Sequence, residues 1–137
     1  MKAFYLTIVL LIICGCDKYD IRLNIKNSNN ETIYTAISMD DQLENSEEIT
    51  SGSDKKSHLT RKIETGKTEN IERYGFNAWN DFLKFSNEKS MRVFVIPESV
   101  FNTNSWEDIC KKRMYTKVLK YSLNDLEKAN WLIDIKS

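Results

Sequence analysis

The sequence predicts a mainly β domain of the α+β class, in which about three short helices connect a small antiparallel β-sheet or β-sandwich. Several segments alternate apolar and polar residues with a period of two, which is typical of half-buried strands. The helical segments are too short to serve as long crossovers between parallel strands. The 137 residues contain 20 basic and 20 acidic side chains and no internal repeat, which fits a single ordinary domain.

The first two predicted strands flank an asparagine-rich turn. Ile21, Leu23 and Ile25 alternate with polar residues, and residues 33–38 alternate in the same way. Residues 27–30 between them read Asn-Ser-Asn-Asn, a strong turn signal. This order predicts a β-hairpin.

A polar loop is predicted over residues 40–58, because apolar residues are sparse there. A loop of this length is either functional or a tolerated insertion, and the insertion is the simpler interpretation. Two weaker strands, Leu59–Ile63 and Glu69–Tyr74, follow on either side of a turn at Gly66.

The middle of the chain predicts one helix and the central strand. Asn77 is a candidate N-cap for a helix over Ala78–Phe85, in which Trp79, Phe82 and Leu83 share one face. Met91–Ile96 is apolar on both faces of an extended chain and ends at Pro97, which is typical of a buried strand.

The last third of the chain carries two helix-start signals. Ser105 and Ser122 each precede a first turn that contains acidic residues, which predicts a short capped helix after each serine. A strand over Tyr115–Tyr121 is predicted between the helices. A closing strand follows over residues 131–135, with Trp131 facing inward.

The N-terminus has the pattern of an export signal. Lys2 precedes an apolar run over residues 3–13, which is shorter than the roughly 20 residues needed to span a bilayer. The run ends in Ile13-Cys14-Gly15-Cys16, which resembles the lipobox of bacterial lipoproteins. The resemblance implies signal cleavage after Gly15 and attachment of a diacylglyceryl group, with acyl chains such as palmitate, to Cys16.

The expected organisation is a signal peptide at 1–15, a lipidated tether at 16–20 and one β-rich domain at 21–137. Each buried methylene contributes about 0.8 kcal/mol, so two or three acyl chains on Cys16 hold the protein permanently on a bilayer. An ordinary signal peptide or an uncleaved anchor is the alternative. The expected location is the cell envelope, on the inner or outer membrane and facing the periplasm or the surface. Asp17 resembles the inner-membrane retention signal of enterobacteria, and the choice of membrane stays open.

The C-terminal third supports the same family. Residues 123–133 read Leu-Asn-Asp-Leu-Glu-Lys-Ala-Asn-Trp-Leu-Ile and look like the end of small envelope lipoproteins common in Bacteroidota. This resemblance implies an envelope lipoprotein. It implies no activity, because none is assigned to that group.

No catalytic, metal or cofactor site is predicted, and the ligand-binding residues are left unknown. His58 is the only histidine, and no serine stands in an elbow motif that would make it a catalytic base, so a surface role is expected. Zinc requires about four cysteine or histidine ligands, whereas the mature chain offers His58 and the thiol of Cys110. Cys110 is expected to act as a small buried apolar residue. The balanced charge excludes a nucleic-acid partner held by a basic surface.

The function predicted is therefore a non-enzymatic binding or structural module, held on the bilayer through Cys16, with a protein or glycan partner. An immunity or inhibitor lipoprotein and, less favoured, a carboxylate-based hydrolase are the alternatives. A concave pocket with converging acidic groups would favour the enzyme, and a flat exposed apolar patch would favour a protein partner. Trp79, Trp106 and Trp131 would favour a glycan if exposed, although their spacing predicts core positions.

Overall fold

The computed structural model describes residues 19–49 and 54–137, and in that part of the chain it contains nine strands and five α-helices. The strands are β1 (Tyr19–Asp20), β2 (Asn24–Asn27), β3 (Ile33–Ser38), β4 (Arg61–Ile63), β5 (Thr68–Asn70), β6 (Arg73–Tyr74), β7 (Ser90–Pro97), β8 (Lys117–Ser122) and β9 (Leu132–Ile135). The helices are α1 (Lys55–His58), α2 (Ala78–Phe85), α3 (Glu98–Thr103), α4 (Trp106–Lys111) and α5 (Leu123–Lys128). Single 3₁₀ turns occur at Leu43–Asn45 and Asn87–Lys89.

The strands form three sheets, which confirms the predicted α+β class. The largest has the order β4-β3-β7-β8 and is antiparallel throughout. The second has the order β5-β2-β9, and its β2–β9 pair runs parallel with Ile25 opposite Ile133. This parallel pair needs no crossover helix, because most of the domain lies between the two strands. The third sheet pairs β1 with β6. The sequence predicted the helices α2, α4 and α5 but not α1 or α3.

The predicted hairpin is wrong, because β2 and β3 belong to different sheets. Asn27 explains the difference. Its fully buried side chain donates to the backbone oxygens of Glu31, at 2.8 Å, and Ile63, at 2.9 Å. These two bonds hold the asparagine-rich segment as a corner through which the chain leaves one sheet for the other.

The central position of β7 is confirmed, since all eight of its residues are buried between β3 and β8. Successive side chains of a strand point to opposite faces. Met91, Val93 and Val95 therefore pack into an inner core, whereas Phe94 and Ile96 pack into an outer core. The inner core contains the apolar residues of β2, β9, α2 and α5, and the outer core contains those of α3 and α4. The large sheet is thus sandwiched between two apolar layers.

The helix α2 has the predicted bounds but not the predicted cap. Asn77 lies in the left-handed region, with φ 54°, and its side chain makes no capping bond. The carboxylate of Asp20 takes that place and accepts a hydrogen bond from the backbone N–H of Trp79 at 3.1 Å. The predicted caps of α4 and α5 are confirmed: Ser105 and Ser122 each accept from the N–H three residues further on.

The predicted polar loop is more ordered than expected over its described residues. Leu43 is buried in the outer core, the main chain bridges Ser38 to Ser46, and Asp54 caps α1. Residues 50–53 lie outside the described part. The predicted strand Glu69–Tyr74 divides into β5 and β6, which join different sheets.

Tyr19 and Asp20, which were predicted to belong to the tether, form β1 and pair with β6. The predicted signal peptide, with Gly15 and the lipidation site Cys16, lies outside the described residues. Within the described ranges, no helix is long and apolar enough to cross a bilayer.

Candidate functional site

A cleft of about 880 Å³ lies beside the small β1–β6 sheet. Three further parts of the chain contribute to it: the segment after the first 3₁₀ turn, the α1–β4 region and the start of α2. The lining residues are Tyr19, Glu47, Glu48, Ile49, His58, Arg61, Glu72, Arg73, Tyr74 and Trp79.

Two tyrosines form one side of the cleft. Tyr19 of β1 lies directly opposite Tyr74 of β6, and their ring centroids are 5.6 Å apart in an edge-to-face arrangement. Both rings are largely exposed, Tyr19 at 53% and Tyr74 at 69%. The short β1–β6 ladder therefore presents a preformed pair of rings to an incoming ligand.

A buried carboxylate fixes this ladder to the core. The Oδ1 and Oδ2 atoms of Asp20 accept from Nε and Nη2 of Arg22 at 2.8 and 2.6 Å, and Oδ2 also accepts from the Trp79 N–H. Burial opposes ionisation of Asp20, but these hydrogen bonds outweigh it and hold the pKa of the carboxyl below its usual value. Arg22 in turn donates to Asn80 at 2.7 Å and lies 4.0 Å from the centre of the Trp131 ring.

The charged groups of the cleft are only partly paired. Arg73 approaches Glu47 at 3.4 Å, and its guanidinium lies 4.4 Å from the centre of the Phe82 ring. The carboxylates of Glu48 and Glu72 form no ion pair with any residue in the described part of the chain. The cleft therefore holds acidic and basic groups in nearly equal number, and several of them are free.

Two buried hydrogen-bond donors in the lining have no acceptor among residues 19–49 and 54–137. They are Nε of Arg61, on β4, and Nε1 of Trp79, on α2. A buried donor without an acceptor costs about 1–3 kcal/mol, so such groups are rare in native proteins. The indole nitrogen of Trp106 is also unpaired, but it belongs to the outer core and not to the cleft.

His58, predicted to be a surface residue, is half-buried at the cleft wall. No hydrogen bond joins its ring to a serine or a carboxylate in the ranges that the structure covers, so the arrangement of a catalytic triad is not formed there. Sequence reasoning missed its place in the cleft. The bond from the Ile49 N–H to the His58 oxygen, at 2.9 Å, links two segments whose approach no local pattern signals.

The tryptophans do not present a platform for glycan stacking. Trp79 is fully buried and Trp106 is 5% exposed. Trp131 is half-buried and covered by the guanidinium of Arg22, and it precedes β9 with φ 59° rather than starting the strand as predicted. The predicted core positions of Trp79 and Trp106 are confirmed, and Trp131 packs partly buried against the inner core.

The carboxylates of the predicted polar loop serve local structure. Asp40 accepts from the side chain of Asn45 and the backbone of Gln42, at 2.8 and 2.9 Å. Asp41 pairs with the buried Arg92 at 2.6 Å. Within the described residues, no three His, Cys, Asp or Glu side chains are grouped as metal ligands. Cys110 is half-buried, and burial raises the pKa of its thiol to about 11.

A second surface feature lies on the other side of Tyr74. Tyr74, Phe76 and Phe85 line a shallow groove, and Phe76 and Phe85 are 85% and 73% exposed. Tyr19, Tyr74, Phe76 and Phe85 together form the aromatic patch. Phe85 belongs to α2 but is not one of the buried residues of that helix. Its position off the buried face was the one sequence signal that indicated an exposed ring.

Comparison with protein-family models, with curated proteins and with solved structures finds no match, so the assignment of function rests on the residues and the geometry of the chain itself.

Proposed function

We propose that the protein is a lipid-anchored lipoprotein of the bacterial cell envelope, and that its domain is a non-enzymatic module that binds a protein partner in the cleft. The lipobox-like Ile13-Cys14-Gly15-Cys16 supports the anchor, and β1 begins only three residues after Cys16. The domain is therefore held against the bilayer rather than at the end of a long spacer.

The two unpaired donors in the cleft are the observation that carries the binding role. Arg61 Nε and Trp79 Nε1 are buried and lack an acceptor within the described residues. A ligand that supplies acceptor oxygens relieves this cost, and the planar fork of a guanidinium matches a carboxylate best. The rings of Tyr19 and Tyr74 border the same cleft. A polypeptide segment that carries a carboxylate fits this combination.

The anchor is tested by labelling the native host with a fatty acid, followed by membrane fractionation. We expect wild-type protein to be labelled and membrane-bound, and Cys16→Ser to be unlabelled and released. A labelled Cys16→Ser protein contradicts the proposed acylation site.

The binding site is tested by placing a photocrosslinking amino acid at position 72, an exposed residue of the cleft lining, in the native host and identifying the crosslinked products by mass spectrometry. We expect a discrete protein adduct that Arg61→Gln reduces at least tenfold. Arg113→Gln is the matched control, because Arg113 is an exposed arginine outside the cleft lining. An adduct that both variants reduce equally, or that neither changes, contradicts the role of the unpaired guanidinium.

The three glutamates of the cleft make a carboxylate-based hydrolase the second candidate. Glu47 is neutralised by Arg73, which leaves Glu48 and Glu72 as the available acid and base. Turnover of a glycan or peptide substrate that is lost in both Glu48→Gln and Glu72→Gln would support the enzyme over the binding module.

A further inference from the structure

We propose that the aromatic patch of Tyr19, Tyr74, Phe76 and Phe85 enters the headgroup region of the bilayer that anchors the protein. This second contact would fix the orientation of the domain on the membrane. The inference rests on the proposed lipid anchor at Cys16 and adds a contact that the anchor alone does not require.

The first step of the argument is the reach of the chain. Three residues separate Cys16 from Tyr19, and an extended chain covers at most ~3.6 Å per residue, so the Cα of Tyr19 lies within about 11 Å of the anchored residue. The headgroup layer on each side of a bilayer is about 5–8 Å thick. With its acyl chains in the hydrocarbon core, Cys16 therefore places β1 at or just above the headgroups.

The second step is that β1 belongs to the most aromatic part of the surface. Its register brings Tyr19 against Tyr74, and the chain turns through Gly75, with φ 116°, to Phe76. Phe85, at the end of α2, borders the same groove as Tyr74 and Phe76. The four rings thus lie on the face from which the predicted tether leaves the domain.

The third step is the chemistry of the rings. Tyrosine is favoured at membrane interfaces because its ring is apolar and its hydroxyl is hydrated. A group of phenylalanines left almost fully in water marks an interaction surface. Lys84 lies with its ammonium 5.7 Å from the centre of the Phe85 ring, so a cation is available for lipid phosphates beside the patch.

The short distance between Cys16 and Tyr19 favours the membrane over a protein as the occupant of the aromatic patch. A second copy of the chain, or a protein docked flat on the patch, needs room between β1 and the bilayer. The reach of about 11 Å leaves too little, because a single helix is about 10–12 Å in diameter with its side chains.

The test measures membrane contact directly in the acylated full-length mature protein, reconstituted in vesicles of phosphatidylethanolamine and phosphatidylglycerol. Phe76→Trp adds a fluorophore on the patch. Val118→Trp, on the edge strand β8 of a different sheet, is the matched exposed control. Vesicles with phospholipids brominated near the top of the acyl chains quench only fluorophores that reach the interface.

We expect bromination to reduce the emission added at position 76 by about twofold or more, and to leave the emission added at position 118 unchanged. Circular dichroism checks that both variants keep the wild-type fold. Equal quenching at the two positions overturns the inference, as does a protein that dimerises through the patch in the vesicles.

A second measurement separates this inference from the anchor on which it rests. Intact mass reports whether Cys16 is acylated, and flotation reports whether the protein stays with the vesicles. An unmodified Cys16 overturns the proposed anchor and, with it, the membrane contact. An acylated protein that floats with the vesicles but is not quenched at position 76 overturns the membrane contact alone.

Discussion

Removal of the Asp20 carboxylate tests how the first strand is held to the rest of the domain. In Asp20→Ala, the Trp79 N–H loses the acceptor that caps α2, and Arg22 loses both oxygens that hold its guanidinium. The side chain of Asp20 is almost fully buried, so water cannot replace the carboxylate without entering the core.

The size of the effect follows from these contacts. Loss of a helix cap costs about 1 kcal/mol, with a range of roughly 0.5–2 kcal/mol. Hydrogen bonds to a charged group contribute about 1.5–3 kcal/mol, but the Arg22 side chain is 35% exposed, so about 1 kcal/mol is the appropriate share of the ion pair. Asp20→Ala should therefore lower the free energy of unfolding by about 2–3 kcal/mol.

The assay is urea unfolding of residues 16–137 carrying Cys16→Ser, followed by tryptophan fluorescence. Asp81→Ala is the control, because Asp81 lies exposed in the first turn of the same helix and affects only the helix dipole, by about 0.3–1 kcal/mol. If Asp20→Ala and Asp81→Ala lower the free energy of unfolding equally, the carboxylate of Asp20 does not fasten β1 to α2.

The pH dependence gives an independent check. The folded-state pKa of Asp20 is lowered, so the unfolded chain binds the proton more tightly. The stability that this group contributes is fully present above its unfolded pKa of about 3.9 and is lost as the pH falls through the folded pKa. The difference in unfolding free energy between wild type and Asp20→Ala should therefore be constant near pH 7 and shrink below about pH 4.

Three further outcomes are expected. Arg92→Met leaves the backbone oxygens of Asn87 and Ser90 without the guanidinium donor, and should lower the free energy of unfolding in urea by about 1–3 kcal/mol; an unchanged free energy would contradict a structural role for this buried cation. Asn27→Leu removes both hydrogen bonds that form the corner after β2, so the free energy of unfolding should fall by about 2 kcal/mol, measured by thermal unfolding. An unchanged free energy would show that the corner forms without these bonds. Cys110 should react slowly with iodoacetamide at neutral pH and rapidly in urea, because burial raises the pKa of its thiol to about 11; rapid reaction of the folded protein would contradict that burial.

Local signals recovered the elements that depend on local chemistry. Ser105 and Ser122 cap α4 and α5 with their own neighbours, and the apolar run of Met91–Ile96 allows burial on both faces. Sequence reasoning failed where a distant group supplies the bond. Asp20 rather than the adjacent Asn77 caps α2, and the Asn27 side chain bonds to Ile63 and sends the chain to a second sheet.

The cleft was not predicted, because its walls come from segments that meet only after folding. Tyr19 was assigned to the tether, and Arg61 had no local feature that set it apart from other charged residues. The exposed Phe85, off the apolar face of α2, was the one available clue to the aromatic patch.

The parallel β2–β9 pair determines when the domain can be completed. Ser28 and Asp134, at the end of this pair, are 106 positions apart, yet their side chains meet at 2.5 Å. A chain released N-terminus first must therefore leave the edge of β2 that pairs with β9 open until residues 132–135 emerge. Such late closure slows folding and prolongs the period in which the open edge of β2 can pair with strands of other molecules. The emergence of residues 132–135 ends this interval, because β9 then covers the open edge of β2.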